Sequence, residues 1–110
     1  MYTVVEHWTP TQLFIEASAQ ERESLFGKVG AAMPQLQAAG VTCLGWGRAQ
    51  AAPNSTEHDW IAVWQMTSTA AVAEFFEAVA AAGWYDYFDQ VNTLSELVPV
   101  PDALGQLMSV

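Results

Sequence analysis

Basic side chains are scarce in this sequence. Its 110 residues include only three of them, Arg22, Lys28 and Arg48, against 12 acidic residues, and the formal net charge is -9. Because binding to nucleic-acid phosphates depends on Lys and Arg, we exclude nucleic acid as a partner. An anionic membrane surface is disfavoured for the same reason. The acidity itself serves to keep a very apolar chain soluble.

Cysteine and histidine are almost as rare. Cys43 is the only cysteine, which excludes an internal disulfide, and its place in an apolar strand pattern predicts a small core residue. With His7 and His58 as the only histidines, the usual zinc ligand sets cannot be assembled. Basic residues for haem propionates are few, and a glycine-rich phosphate loop is missing. We therefore expect neither a metal nor a cofactor.

Long apolar runs are missing too. The first five residues carry neither the basic region nor the apolar core of a signal peptide. The alanine-rich stretch over 70–82 is too short, and too interrupted by glutamates, to cross a membrane. We therefore expect a cytoplasmic protein that does not associate with membranes.

Apolar and aromatic side chains are what the sequence has in abundance. Hydrophobic residues make up 52% of it, and there are five tryptophans. Residues 59–67 read Asp-Trp-Ile-Ala-Val-Trp-Gln-Met-Thr, a pattern typical of a central strand that is covered on both faces. The predicted helices of this chain suffice for one face only. A second copy of the chain is the expected cover for the other face.

The order of predicted elements is β-α-β-β-α-β in a single domain, residues 1–110. The first helix begins at a capping box, Ser18 with Glu21, and Pro34 is expected to kink or break it. Ser68 or Thr69 caps the second helix. The remaining predictions are strands over 2–8, 41–49 (with a bulge or bend at its glycines) and 93–100, an aromatic turn over 84–89 that continues as a short helix, and a tail over 101–110 that could cross onto a partner subunit.

This order predicts an antiparallel sheet with both helices on one face, since βαβ crossovers are right-handed. The opposite face would carry Trp, Tyr, Val and Leu, and such a patch exceeds the roughly 300–600 Å² that a stable monomer exposes. Pairing two sheets face to face buries it. We therefore expect a homodimer with a barrel-like interior between the sheets.

Three stretches carry a resemblance to a known family: residues 2–8 (Tyr-Thr-Val-Val-Glu-His-Trp), 63–68 (Val-Trp-Gln-Met-Thr-Ser) and 83–88 (Gly-Trp-Tyr-Asp-Tyr-Phe). The chain resembles the dimeric α/β-barrel superfamily with a ferredoxin-like fold, and in particular antibiotic-biosynthesis monooxygenases and ethyl-tert-butyl-ether-degradation proteins. That resemblance covers residues 2 to about 100. It implies a homodimer, and activities that range from cofactor-free oxygenases, isomerases, cyclases and haem-binding enzymes to proteins of no known activity.

Two residues of the first predicted strand are the candidate catalytic groups. His7 could donate or accept a proton if it faces a cavity, or could simply be satisfied by a backbone carbonyl. Glu6 would be a base whose pKa is raised by burial if it faces inward instead. Because successive strand residues point to opposite faces, only one of the two can line the cavity.

The candidate substrate-binding residues are mostly aromatic. They could stack on a flat substrate or merely pack a dimer interface: Trp8, Trp46, Trp60, Trp64 and Tyr87. Arg48 could hold a carboxylate or an enolate of the ligand, or could form a salt bridge with one of the acids.

Two functions remain open on this basis. One is a homodimeric enzyme or binding protein that takes a flat, apolar or aromatic molecule between sheet and helices, as a cofactor-free oxygenase or an isomerase would. The alternative is a non-catalytic homodimer whose aromatic residues seal the interface. A cavity of about 300 Å³ or more above the sheet would favour the first.

Overall fold

A computed structural model describes all residues, 1–110. The elements are β1 (Tyr2–Pro10), α1 (Gln12–Glu16), α2 (Ala19–Ala38), β2 (Val41–Arg48), β3 (Trp60–Met66), α3 (Thr69–Ala81), α4 (Trp84–Tyr87), β4 (Phe88–Ser95) and α5 (Val100–Leu107). The strands form one four-stranded antiparallel sheet in the order β2-β3-β1-β4. This is the predicted ferredoxin-like α+β fold, with three short helices added to the βαββαβ core.

The helix starts follow the capping residues of the sequence. The Ser18 hydroxyl accepts the backbone N–H of Glu21 at 3.1 Å and donates to its carboxylate at 3.2 Å, which is the predicted capping box. The Ser68 hydroxyl accepts the N–H of Ala71 at 3.1 Å. Pro34 was expected to kink or break α2; it lies inside one uninterrupted helix, so it does not break it. Pro34 and Gly30 are both exposed, and water can therefore bond the carbonyl of Gly30 that proline leaves without a donor.

The two faces of the sheet differ in composition more than the sequence suggested. On β1, Val4, Glu6 and Trp8 face the helices and are buried, whereas Val5 and His7 face the open side. The tryptophans of the strands also lie on the helix side, where their rings pack against one another and against Trp84 of α4. The expectation that tryptophan would occupy the uncovered face is therefore wrong.

The open face instead carries smaller side chains around His7. Val5 pairs with Val63 on one side, and His7 lies between Ile61 and Val91. It is a β-branched surface with a histidine at its centre.

A bulge in the edge strand β2 fixes the position of Trp46. The register shifts between Cys43 and Gly45. As a result Cys43 pairs with Trp64 and Trp46 pairs with Ala62 on the neighbouring strand, and all four side chains lie on the same face of the sheet. The predicted bulge is confirmed, but simple alternation would have placed Trp46 on the other face. Cys43 is exposed on this edge, so its prediction as a core residue is wrong.

The last strand begins earlier than predicted. β4 runs from Phe88 to Ser95, and pairs with β1 from Phe88 opposite Pro10 to Ser95 opposite Thr3. The prediction of a strand over 93–100 was wrong because the partner strand β1, and not local propensity, decides where pairing starts.

The C-terminal segment forms a helix that buries none of its residues. α5 has no buried residue, and its Leu104 and Leu107 are exposed. No helix of the protein has the length and apolar character needed to span a bilayer.

Candidate active site

One carboxyl group lies in the apolar layer between sheet and helices. Glu6 is only 4% exposed. Its Oε1 accepts the indole N–H of Trp64 at 2.6 Å, and its Oε2 accepts the amide of Gln90 at 2.6 Å. Strand pairing produces this arrangement, since Glu6 lies between β3 and β4 in the sheet. Each carboxylate oxygen therefore has one fixed donor.

The orientation of the Gln90 amide is determined by Trp84. The Trp84 indole N–H donates to Gln90 Oε1 at 2.7 Å, and an indole can only donate. The amide nitrogen of Gln90 must then face Glu6, where it also donates to Asn92 Oδ1 at 2.7 Å. The Asn92 amide in turn donates to the Tyr85 hydroxyl at 3.3 Å. The Gln90 amide is thus held as a hydrogen-bond donor to Glu6.

Two opposing effects act on the pKa of Glu6. Burial raises it above the ordinary value of 4.5, and the hydrogen bonds from Trp64 and Gln90 lower it by favouring the charged form; burial is the larger effect. The pKa of Tyr85 is also raised, mainly by burial and in addition by the negative charge of Glu6. A carboxyl group with a raised pKa and free acceptor positions is suited to act as a general base near neutral pH.

Glu6 opens onto a small cavity of about 40 Å³. It is the only residue among the 12 lining ones that is not hydrophobic. The two long helices form the wall that faces the sheet, through Val29 and Met33 of α2 and Phe75 and Val79 of α3. The volume has room for about two or three water molecules, and lies below the roughly 300 Å³ expected of a substrate pocket.

Tryptophan rings form the rest of the wall. Trp46 lies 6.2 Å from Trp64 and 5.7 Å from Trp84, measured between ring centroids, at interplanar angles of 70° and 76°. The Trp46 ring thus stands nearly perpendicular to both of the other rings. Trp46 is 46% exposed and so marks the side on which the cavity meets solvent.

The structure brings together some of the predicted site residues and separates others. Glu6, Trp46 and Trp64 line the cavity. Trp8 lies behind them, with its ring 5.1 Å from that of Trp46. His7 faces the open side of the sheet, away from this cavity.

Arg48 and Tyr87 also lie away from the cavity. The Arg48 guanidinium sits over the ring of Trp60 at 5.4 Å. Tyr87 packs edge-on against Phe14 at 6.4 Å. Neither residue is part of the cavity wall.

Four residues of the polar network were not predicted from the sequence: Trp84, Tyr85, Gln90 and Asn92. Gln90 and Asn92 alternate along β4 on the face of Glu6, a signal that a strand placed at 88–95 would have revealed. Trp84 and Tyr85 lie in the aromatic turn that the sequence did highlight. No group of three or more His, Cys, Asp or Glu side chains is placed to hold a metal ion.

Fold and site together describe a small ferredoxin-like protein with a buried carboxylate under its helices. The chain belongs to DUF6616, a family of unknown function whose profile matches residues 1–110. No curated protein matches the sequence closely enough to count as a relative.

Solved structures share this fold at low sequence identity. The crystal structure of At3g17210 from Arabidopsis thaliana has a TM-score of 0.63 and 17% identity, over 91% of this chain and 98% of that one. HapK from Hahella chejuensis has a TM-score of 0.52 and 12% identity, over 89% of this chain and 93% of that one. At such identities the similarity establishes the ferredoxin-like fold and leaves the chemistry to be argued from the site.

Proposed function

We propose that this protein is a small-molecule enzyme in which Glu6 is the general base. The observation that carries the proposal is a single buried carboxyl group, with a raised pKa, facing an otherwise hydrophobic cavity. Perturbed carboxyl groups in apolar clefts are typical of functional sites, because burial alone is costly for stability. The substrate is a flat, apolar or aromatic molecule that stacks against Trp46 and Trp84.

The reaction class is proton removal from a carbon or oxygen acid, without a metal or cofactor. Removal of a proton from a carbon acid leaves a carbanion. An isomerase returns the proton to another atom of the substrate, whereas a cofactor-free oxygenase transfers electrons from the carbanion to dioxygen. The resemblance to antibiotic-biosynthesis monooxygenases and ethyl-tert-butyl-ether-degradation proteins favours these two activities. Glu6 suits the step because each of its oxygens accepts one hydrogen bond and keeps acceptor capacity for the substrate proton.

Substrate entry requires that α2 move away from the sheet. The cavity of about 40 Å³ is too small for an aromatic ring as it stands. Val29 and Met33, which α2 contributes to its wall, are only half-buried. Gly27, Gly30 and Pro34 lower the helix propensity of the same element. We propose that these features let α2 open the cavity.

Deuterium exchange into 2-tetralone, a flat carbon acid, tests the role of Glu6. In D₂O the enzyme should remove a proton next to the carbonyl and return a deuteron, which NMR detects. We expect the Glu6→Gln variant to lose about 10²–10⁴-fold of the rate above buffer, the usual contribution of a general base. Glu57→Gln removes the same charge in an exposed loop and should exchange like the wild type. Equal rates for all three proteins would refute the proposal.

A second candidate function is a non-catalytic protein whose aromatic residues only fill its core. The small cavity volume favours it. The tryptophans lie on the helix side of the sheet, and would then stabilise the subunit and not the dimer interface. If it is correct, aromatic compounds at millimolar concentration will leave the melting temperature unchanged.

We also propose that the protein is a homodimer that pairs through the open sheet face. Val5, Val63 and Ile61 lie there half-buried, and Val91 beside them is exposed. The C-terminal helix α5 supports the same proposal, because it buries no residue and its leucines are exposed. A second copy would cover both.

A further inference from the structure

The carboxylate of Glu6 has no cation near it. Arg22 lies over the ring of Phe14 at 4.5 Å and donates to backbone carbonyls, and Arg48 lies over Trp60. Lys28 is exposed, and no basic residue lines the cavity. Buried carboxylates in proteins are normally paired with a cation or bound to a metal. No cation of the chain is therefore available to neutralise Glu6.

The walls beside Glu6 are of the kind that attracts organic cations. Trp46, Trp64 and Trp84 line the same cavity, with Trp46 nearly perpendicular to the other two rings. Faces of aromatic rings carry negative electrostatic potential, and several rings set around one point form the aromatic cages that bind ammonium groups. Tryptophan is the strongest of the aromatic residues in this respect.

We propose that the ligand of this cavity is an organic ammonium ion, an amine with an apolar or aromatic body that enters as its protonated form. The ammonium group would donate to Glu6 and contact the ring of Trp46, and the body would pack against Val29 and Met33. This inference rests on the proposed function, since it specifies the substrate class of the same site. It excludes carboxylate ligands, because they would meet the negative charge of Glu6 and no basic side chain.

The polar network strengthens the preference. Trp64 donates directly to one oxygen of Glu6, and Trp84 fixes the Gln90 amide so that it donates to the other, so both oxygens of Glu6 act as acceptors. A ligand must therefore bring the donor, and an ammonium donor forms a charge-assisted bond. The net charge of -9 attracts cations toward the protein and repels anions.

Three probes of one shape but different charge test the proposal: benzylamine, benzyl alcohol and benzoate, titrated at neutral pH by isothermal calorimetry. We expect benzylamine to bind about tenfold more tightly than benzyl alcohol, from the difference between charged and neutral hydrogen bonds. Benzoate should not bind. Equal affinity for the amine and the alcohol would overturn the inference while leaving a neutral-substrate enzyme intact.

Two variants and one control locate the binding. Glu6→Gln should reduce the affinity for benzylamine to that for benzyl alcohol. Trp46→Leu, at a position that is 46% exposed, should weaken benzylamine binding by about two- to thirtyfold and the alcohol less. Glu57→Gln controls for overall charge and should bind like the wild type. A preference for the amine that survives in both cavity variants would place it on the acidic surface and overturn the inference.

The proposed function and this inference fail in different ways. Loss of tetralone exchange in Glu6→Gln supports the base, whatever benzylamine does. If none of the three probes binds while tetralone exchange remains dependent on Glu6, the ammonium inference is wrong and the enzyme proposal stands. If exchange is independent of Glu6 but benzylamine binding depends on it, the site is a binding site for amines and not an active site.

Discussion

The carboxylate of Glu6 lies between two apolar, buried residues on the same face of β1, Val4 and Trp8. Burying an ionised carboxylate costs several kcal/mol even after relaxation. Hydrogen bonds to charged groups return roughly 1.5–3 kcal/mol each, and Glu6 receives two of them. The cost of burial and the energy of the two hydrogen bonds are therefore similar in size. A third partner, either a substrate or a proton, determines the charge state of Glu6.

Exchanging the groups at positions 6 and 90 tests the network. Glu6→Gln alone places an amide NH₂ against either Trp64 or Gln90, both of which donate, and should destabilise the fold by about 1–3 kcal/mol. Adding Gln90→Glu restores complementary partners, because the new amide donates to the new carboxylate, which accepts from Trp84. We expect urea unfolding to show the double variant as more stable than either single one. Additive losses would mean that these bonds do not form a network.

The raised pKa of Glu6 makes stability depend on pH. The native state holds this proton more tightly than the unfolded chain, so the stabilisation is fully present below the ordinary value of 4.5 and is lost as pH rises through the raised native value. A protonated carboxyl keeps lone pairs on both oxygens and can still accept from Trp64. We therefore expect the free energy of unfolding of the wild type, relative to Glu6→Gln, to fall with rising pH across this window. A gap between the two proteins that is constant with pH would contradict this assignment.

Among the elements, α2 and the turn that follows it use glycine for opposite reasons. Gly27 lies in the helix with open space around it, so a methyl group would meet nothing. Gly40 ends the connection to β2 with φ of 102°, and a side chain there would collide with the Thr67 hydroxyl. One glycine can be replaced and the other is required by the backbone.

This contrast gives a matched pair of substitutions. Gly27→Ala should stabilise the protein by about 0.5–1 kcal/mol through higher helix propensity. Gly40→Ala should destabilise it by more than about 1 kcal/mol because of left-handed backbone strain and the collision with Thr67. Thermal unfolding of both variants measures the difference. If opening of α2 admits ligands, Gly27→Ala should also slow benzylamine release; destabilisation by Gly27→Ala would show that the helix needs this glycine.

At the scale of the whole molecule, the open sheet face and the C-terminal helix leave apolar side chains exposed. The dimensions of 51 × 36 × 20 Å and a radius of gyration of 15.9 Å describe an elongated subunit. A compact domain of this length would have a radius of about 13 Å. The excess fits a subunit that is completed by another copy.

Val63→Lys tests the dimer. The residue lies on a central strand in the open face, paired with Val5, so a lysine there would have to bury its charge between two sheets. We expect light scattering to give twice the subunit mass for the wild type and the subunit mass for the variant. Ala73→Lys, on the exposed side of α3, should remain dimeric. A monomeric wild type at micromolar concentration would rule out the proposed pairing.

Local chemistry in the sequence determined the order of the four strands and the two long helices. The Ser18 and Ser68 caps, the bulge near Gly45 and the placement of Glu6 and His7 on opposite faces all follow from interactions between residues close in the chain. These could be predicted because side-chain period and helix capping involve only a few neighbouring residues.

Only the tertiary structure decided which face of β1 the helices cover, and therefore that Glu6 and not His7 meets the cavity. Alternation separates the two residues but does not say which one is inside. The partners Gln90 and Asn92 depend on the register between β1 and β4, whose paired residues lie far apart in the chain. The packing of the whole sheet against α2 and α3 sets both the register and the covered face. Neither can be predicted from the sequence of one strand alone.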